Sequence, residues 1–122
     1  MAARGDPERG AVTVEAAIAV GALIFVLGMA LAALVAMADQ LRCVDAAREA
    51  ARLVARGDRQ LADQAVAEIA PAGARLAVRT ESGTVEIEVR AAPAGGLLPG
   101  VELRGSAYAV LEPEPEAPGA PP

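Results

Sequence analysis

The sequence contains no histidine, tryptophan or lysine, and only one cysteine, one tyrosine and one phenylalanine. Without histidine, the most common general base and nitrogen ligand for metals is missing. Neither Ser82 nor Ser106 can therefore form a Ser-His-Asp triad. We expect the chain not to be an enzyme, and we expect no metal and no other cofactor.

The scarcity of cysteine and aromatic residues also limits how the fold can be stabilised. Cys43 has no second cysteine with which to form an intramolecular disulfide. We expect it to be a small buried side chain in a helix, and the alternative is a reactive or cross-linking thiol. A large aromatic core is not available. Stability must come from a long helix, a small sheet, the bilayer or neighbouring subunits.

Charge is unevenly distributed along the chain. The formal net charge is -5, and all 11 basic residues are arginines. Residues 61–122 hold four arginines and nine acidic residues, and so account for the whole excess. An acidic C-terminal half excludes nucleic acid as a partner, because nucleic-acid binding needs a basic face.

The main positive feature is an apolar run over residues 16–38, which has no charged or polar side chain. As a helix these 23 residues would be about 34 Å long, enough to cross a hydrocarbon core of about 30 Å. The run predicts a transmembrane helix over residues 11–38 with membrane lipid around it. Gly21 and Gly28 lie on nearly one face, where small residues let a second helix approach closely.

Residues 39–70 predict helix outside the membrane. Opposite charges three residues apart can meet on one helix surface; these pairs are Asp39 and Arg42, Asp45 and Arg48, and Glu49 and Arg52. Leu41, Val44, Ala51 and Val54 form a thin apolar side. Gly57 predicts the end of this helix, and Asp58 predicts the N-cap of a second helix that runs from Arg59 to Ala70.

Residues 71–112 change to the alternating pattern of strands. Leu76 and Val78 alternate with polar residues, as do Val85, Ile87 and Val89, and Glu81-Ser82-Gly83 between them predicts a hairpin turn. Residues 101–111 predict a third strand after a Gly/Pro loop. The expected fold class is α+β: a long N-terminal transmembrane and amphipathic helix, a short second helix and a three-stranded antiparallel sheet. Residues 113–122 predict a disordered or polyproline-like tail.

The stretch that points to function is Arg9-Gly10-Ala11-Val12-Thr13-Val14-Glu15, directly before the apolar run. Residues 1–10 are short and charged, as expected of a leader that stays in the cytoplasm. Gly10 has no side chain, which leaves the next peptide bond accessible to a protease. Glu15 is a carboxylate at the edge of a membrane helix, where it must stay near the interface or pair with a positive group.

These residues resemble a type IV prepilin processing site, with cleavage between Gly10 and Ala11 and a glutamate, Glu15, five residues into the mature chain. The segment from Cys43 to Arg52 is similar to the post-membrane helix of the TadE-like family, in its short actinobacterial form, as are the Leu-Leu-Pro-Gly loop at residues 97–100 and the final strand that ends at Leu111. The likeness spans about residues 9–113. Ala16 stands where major Flp pilins carry tyrosine, which favours a minor pilin.

The resemblance implies a membrane-anchored minor pilin, or pseudopilin, of a tight-adherence (Flp) type IV pilus or a related secretion system. The implied partners are a prepilin peptidase, other pilins and the pilus assembly machinery. The implied location is the cell membrane, with one span and an extracytoplasmic C-terminal domain. The resemblance leaves open whether the subunit is incorporated along a surface pilus, caps its tip or stays in the membrane. Gly10 and Ala11 would be the cleavage site, Glu15 the assembly residue, and Gly21 and Gly28 the helix-packing residues.

Three observations leave alternatives open. An ordinary single-pass anchor for a binding module outside any filament would keep its leader. Ala36-Met37-Ala38 fits the small-x-small pattern of a signal cleavage site, which would give a secreted soluble protein. Five arginines follow the span and two precede it, so the positive-inside rule would place the C-terminal domain in the cytoplasm.

Overall fold

The computed structural model describes residues 7–113 and residue 119, except for the side chain of Ala94. Most of the predicted leader and tail thus lie outside the described residues. The fold class is α+β, as predicted. Helix α1 (Pro7–Ala55) and helix α2 (Arg59–Ile69) precede strands β1 (Arg75–Glu81), β2 (Thr84–Ala91) and β3 (Leu103–Val110). A short 3-10 turn, Pro93–Gly96, lies between β2 and β3.

The chain divides into two compact units, with the boundary between Leu34 and Val35. Unit 1 is the N-terminal part of α1. Unit 2 contains the C-terminal part of α1, together with α2 and the sheet. Helix α1 runs without a break past Ala38 and Asp39, the predicted end of the transmembrane helix.

Helix α1 ends because of a glycine. Gly57 has φ +86°, its N–H donates to the carbonyl of Val54 at 3.0 Å, and the N–H of Asp58 donates to that of Leu53 at 3.0 Å. These two bonds form a Schellman motif, in which glycine takes the left-handed position without a Cβ penalty. Asp58 is the N-cap of α2 as predicted, although its side chain makes no capping hydrogen bond.

The sheet is an antiparallel meander in the order β1-β2-β3. Glu81 pairs with Thr84, so the hairpin loop contains only Ser82 and Gly83, with φ +51° and +80°. Positive φ at both positions is the type I′ pattern, which matches the twist of the flanking strands. The predicted turn at residues 81–83 is therefore confirmed.

The core of unit 2 lies between one sheet face and the helices. Val85, Ile87 and Val89 of β2 are fully buried, as are Cys43 and Ala47 of α1. Small helix residues let the sheet approach closely: a Cβ built on Gly105 would overlap the carbonyl of Cys43 and lie 2.7 Å from the nitrogen of Val44. A core of alanine and valine thus replaces the missing aromatic residues.

One prediction for α1 is wrong in part. Ala51 and Val54 are buried as expected, but Leu41 is 66% exposed and Val44 is half-buried. The buried face is instead formed by Asp39 and small residues at helical spacing, namely Cys43, Ala46, Ala47, Ala50, Ala51 and Val54. Alanines at contact positions allow the close approach of the sheet that bulkier residues would prevent.

Candidate assembly site on the N-terminal helix

The predicted processing residues lie in the first turns of α1. Pro7 begins the helix, a position where its missing N–H costs nothing, and Thr13 Oγ1 donates a hydrogen bond to the carbonyl of Arg9 at 2.9 Å. The peptide bond between Gly10 and Ala11 is therefore helical. A protease that binds extended backbone must unwind this end, which needs little energy because the first turns of a helix fray readily.

Glu15 lies on the exposed surface of α1, one helical turn after Ala11. Within residues 7–113 it makes no hydrogen bond and no ion pair. A carboxylate at the edge of an apolar segment is costly to take into a bilayer without a counter-charge. The geometry therefore leaves Glu15 available to a positive group from outside the described chain.

The apolar run of α1 is exposed over most of its surface. Ile18, Phe25 and Leu34 are each between 62% and 67% exposed. By length and composition, α1 is the one helix of the described residues that could cross a membrane, and none of its most apolar window is buried. The core helix of a soluble protein would be covered by its own fold, so this surface is compatible with a single-pass membrane anchor.

Gly21 and Gly28 leave two shallow gaps in this apolar surface. Nothing lies within 4 Å of a Cβ built at either position. A second helix could approach there, but the described chain itself supplies none. Their role in packing remains a prediction.

A second polar surface, which the sequence did not single out, is the outer face of the sheet. Glu88 forms ion pairs with Arg90 and with Arg104, the latter at 3.2 Å, and Arg90 reaches Glu102 at 3.5 Å. The hydrogen bond from Arg90, together with the charges of both arginines, lowers the pKa of Glu88 below its ordinary value. These ion pairs join β2 to β3 and to the residue before it. The network belongs to unit 2, whereas Glu15 belongs to unit 1.

Tyr108 also lies on the outer sheet face. Its hydroxyl donates to Glu86 Oε1 at 3.1 Å, and this hydrogen bond raises the pKa of Tyr108 because loss of the proton would place a phenolate beside a carboxylate. The phenol is thus held protonated.

Two further residues were missed by sequence analysis. Arg42 pairs with Asp39 as predicted, at 3.6 Å, but its guanidinium also donates to the carbonyls of Ile69 and Ala70, at 2.9 and 3.4 Å. It thereby caps the C-terminus of α2. The second missed residue is Gly105. A glycine inside a predicted strand often marks a close approach of another backbone, and this signal could have identified Gly105 from the sequence.

Cys43 lies where the sequence predicted. Its side chain is fully buried and free, and burial raises its pKa, with a smaller contribution from the charge of Asp39. It is a packing residue beneath Gly105. Among the residues that the structure describes, no group of three or more acidic, cysteine or histidine side chains could hold a metal ion.

Comparison with known proteins gives one informative similarity. The chain is 42% identical over 99 residues to a protein named "Apoptosis inhibitor Rv3655c" from Mycobacterium tuberculosis (strain ATCC 25618 / H37Rv). The match covers 81% of this chain and 78% of that protein. No family model matches the chain, and no solved structure matches it.

Proposed function

We propose that this chain, which belongs to the family of that mycobacterial protein, is a membrane-anchored minor pilin of a tight-adherence type IV pilus or a related secretion system. The observation that carries the proposal is the beginning of α1. An unpaired carboxylate, Glu15, lies five residues after Gly10 and immediately before an apolar surface that nothing in the described chain covers. This combination supports both processing after Gly10 and lateral assembly through the helix.

The proposed mechanism begins with cleavage. Hydrolysis of the bond between Gly10 and Ala11 by a prepilin peptidase gives Ala11 a new ammonium, one helical turn from Glu15. The two charges can meet within a subunit or between neighbours, and near the bilayer they are screened less than in water. A subunit that leaves the membrane for a helix bundle then carries its carboxylate to an opposite charge on an adjacent subunit.

The test combines processing with assembly. In a host with a prepilin peptidase, intact-mass analysis should show loss of residues 1–10. Glu15→Ala should be inserted and cleaved but should not co-purify with sheared filaments or with other pilins in detergent. Glu15→Asp should be intermediate, because its carboxylate reaches less far.

Glu8→Ala is the matched control, since Glu8 is an exposed carboxylate on the same helix and is removed with the leader. It should assemble like the unmodified chain. Wild-type association of Glu15→Ala would show that the carboxylate is incidental. A mature chain that begins at Asp39 would refute the pilin function and indicate a secreted protein.

The second candidate is a membrane-anchored binding module that never enters a filament. It is favoured by the polar outer face of the sheet in a unit with its own core. It also fits the relative's name, which assigns inhibition of apoptosis to that protein. Such a module would keep its leader, so the same mass measurement distinguishes the two functions.

The pilin function requires unit 2 to lie outside the cytoplasm. The leader faces a cytoplasmic-side peptidase in the proposed mechanism, and this outweighs the arginine count after the span. Protease added to spheroplasts should therefore digest unit 2 while a cytoplasmic marker stays intact. Protection of unit 2 under those conditions would establish the opposite orientation.

A further inference from the structure

Unit 2 has two ends along the direction of α1, and its contacts identify which end is nearer the apolar run. Gln40 Nε2 donates to the carbonyl of Arg104 at 2.8 Å, and Gln40 Oε1 accepts from the N–H of Arg104 at 3.3 Å. At the other end of β3, the N–H of Glu112 donates to the carbonyl of Ala55 at 3.2 Å. Strand β3 therefore runs parallel to this part of α1, and its first residues lie beside Gln40.

Two chain connections share the Gln40 end. Ala91 pairs with Leu103, so the link between β2 and β3 leaves the sheet there. Arg42 holds the C-terminus of α2, so the link from α2 to β1 also lies at this end. Gln40 is only two residues beyond Ala38, the last residue of the apolar run, which is about 3 Å along the helix axis. With the apolar run in the bilayer, Gln40 and the residue that it contacts, Arg104, lie close to the bilayer surface.

The two ends differ in chemistry. At the Gln40 end, the two links themselves, residues 69–74 and 91–101, contain no charged or polar side chain, although Arg75, Arg90 and Glu102 flank them directly. At the opposite end, the link between α1 and α2 itself carries Arg56 and Asp58. Because surface loops are ordinarily polar, two uncharged links at one end of unit 2 indicate contact with an apolar environment.

The most exposed part of these uncharged links is residues 93–101, which we call the Leu97 loop. The side chain of Leu97 is 80% exposed and that of Val101 is 49% exposed, while Leu98 between them is half-buried. Pro93 is fully buried and fixes the base of the loop on the core. The loop thus presents leucine and valine outward from a fixed base.

We propose that the Leu97 loop inserts into the surface of the same bilayer that anchors α1, as a second membrane contact of unit 2. The occupant is lipid because the loop is apolar, lacks charge and belongs to the end of unit 2 that adjoins Ala38, where the apolar run ends. Insertion would hold unit 2 against the membrane at two points. The inference depends on the anchoring role of α1 in the proposed function, but it does not depend on filament assembly.

The experiment uses the absence of tryptophan from the chain. Leu97→Trp in the full chain, reconstituted in liposomes, should give a tryptophan that brominated phosphatidylcholine quenches. The matched control is Val110→Trp, since Val110 is also exposed, at 74%, but pairs with Thr84 beside the hairpin at the opposite end. Quenching in the Leu97→Trp variant should exceed that in the control about threefold, because the bromine atoms lie within the hydrocarbon core.

A second pair of substitutions separates the loop from the affinity of tryptophan itself for membranes. Leu98→Gln with Val101→Gln, in the Leu97→Trp background, should lower the quenching toward the control value. Equal, weak quenching of both single-tryptophan variants in floated proteoliposomes would overturn the proposal and leave the anchor intact. If the tryptophan of the Leu97→Trp variant is shielded from aqueous iodide but not quenched by lipid, the loop makes a protein contact, and the proposal is also overturned.

Failure of the chain to float with liposomes would remove the anchor on which both proposals depend. Because this experiment contains no peptidase and no other pilin, its result is independent of the Glu15 co-purification test. Normal lipid quenching with no filament association would keep the Leu97 loop and reject the pilin function.

Discussion

The two units of this chain obtain their stability in opposite ways. Residues 7–34 are helical, and their side chains are exposed almost throughout. Unit 2 buries a continuous cluster of small apolar side chains between the sheet and the helices. One unbroken helix thus contributes to two different environments. Its N-terminal part presents an exposed apolar surface, and its C-terminal part forms one side of a buried core. Substitutions can therefore affect one unit and leave the other unchanged.

The largest effect should follow from filling the contact between β3 and α1. Gly105→Val would place side-chain atoms where the backbone of Cys43 and Val44 now lies, and the sheet must move or the unit unfolds. We expect a loss of about 3 kcal/mol or more in the free energy of unfolding. Thermal unfolding of the purified protein in detergent would measure this loss of stability.

Ser106→Val is the matched control, because Ser106 is the next residue of β3 and is exposed. It should change stability little, while both variants should still enter the membrane. Equal stability of the two variants would mean that the helix and sheet do not need this close approach.

A smaller effect, confined to the other unit, should follow from charge in the apolar run. Phe25→Arg places a guanidinium near the middle of the run and should weaken membrane insertion by about 3 kcal/mol. The fraction of protein extracted from membranes by alkaline carbonate should rise. The matched control is Leu41→Arg, because Leu41 lies on the same helix beyond the run and is 66% exposed. This variant should remain membrane-bound. Equal extraction of both variants would argue against a span at residues 16–38.

The smallest effect should be a pH dependence of unit 2. The ion pairs hold the pKa of Glu88 below its ordinary value, so they stabilise the folded state at and above that value. This stabilisation is lost as the pH falls through the lowered pKa and the carboxylate becomes protonated. Glu88→Gln should remove this acid-dependent part of the unfolding profile, whereas Glu112→Gln, a glutamate outside the network, should keep it.

Local patterns predicted most of the fold. Helix α2, the hairpin turn and the meander depend on spacing and turn chemistry that are written in neighbouring residues, so their positions agree with the structure to within about two residues. The apolar run was also readable in this way, and the processing site between Gly10 and Ala11 stays a prediction of the same local kind. The buried face of α1 was only partly predicted, because hydrophobicity favoured Leu41 while the sheet selected the smaller Cys43 and Ala47.

The sequence by itself determined the features that depend on the chain alone: an apolar run of bilayer length, the Gly10-to-Glu15 spacing, and the alternation that makes strands. Tertiary structure decided which residues meet across the sequence. Three contacts show this: Gly105 packs on the backbone of Cys43, Arg42 caps α2, and Gln40 contacts Arg104. Together they place two uncharged links, which are distant in the sequence, at one end of unit 2. Those contacts join residues 27 to 64 positions apart, and no local propensity encodes such a distance.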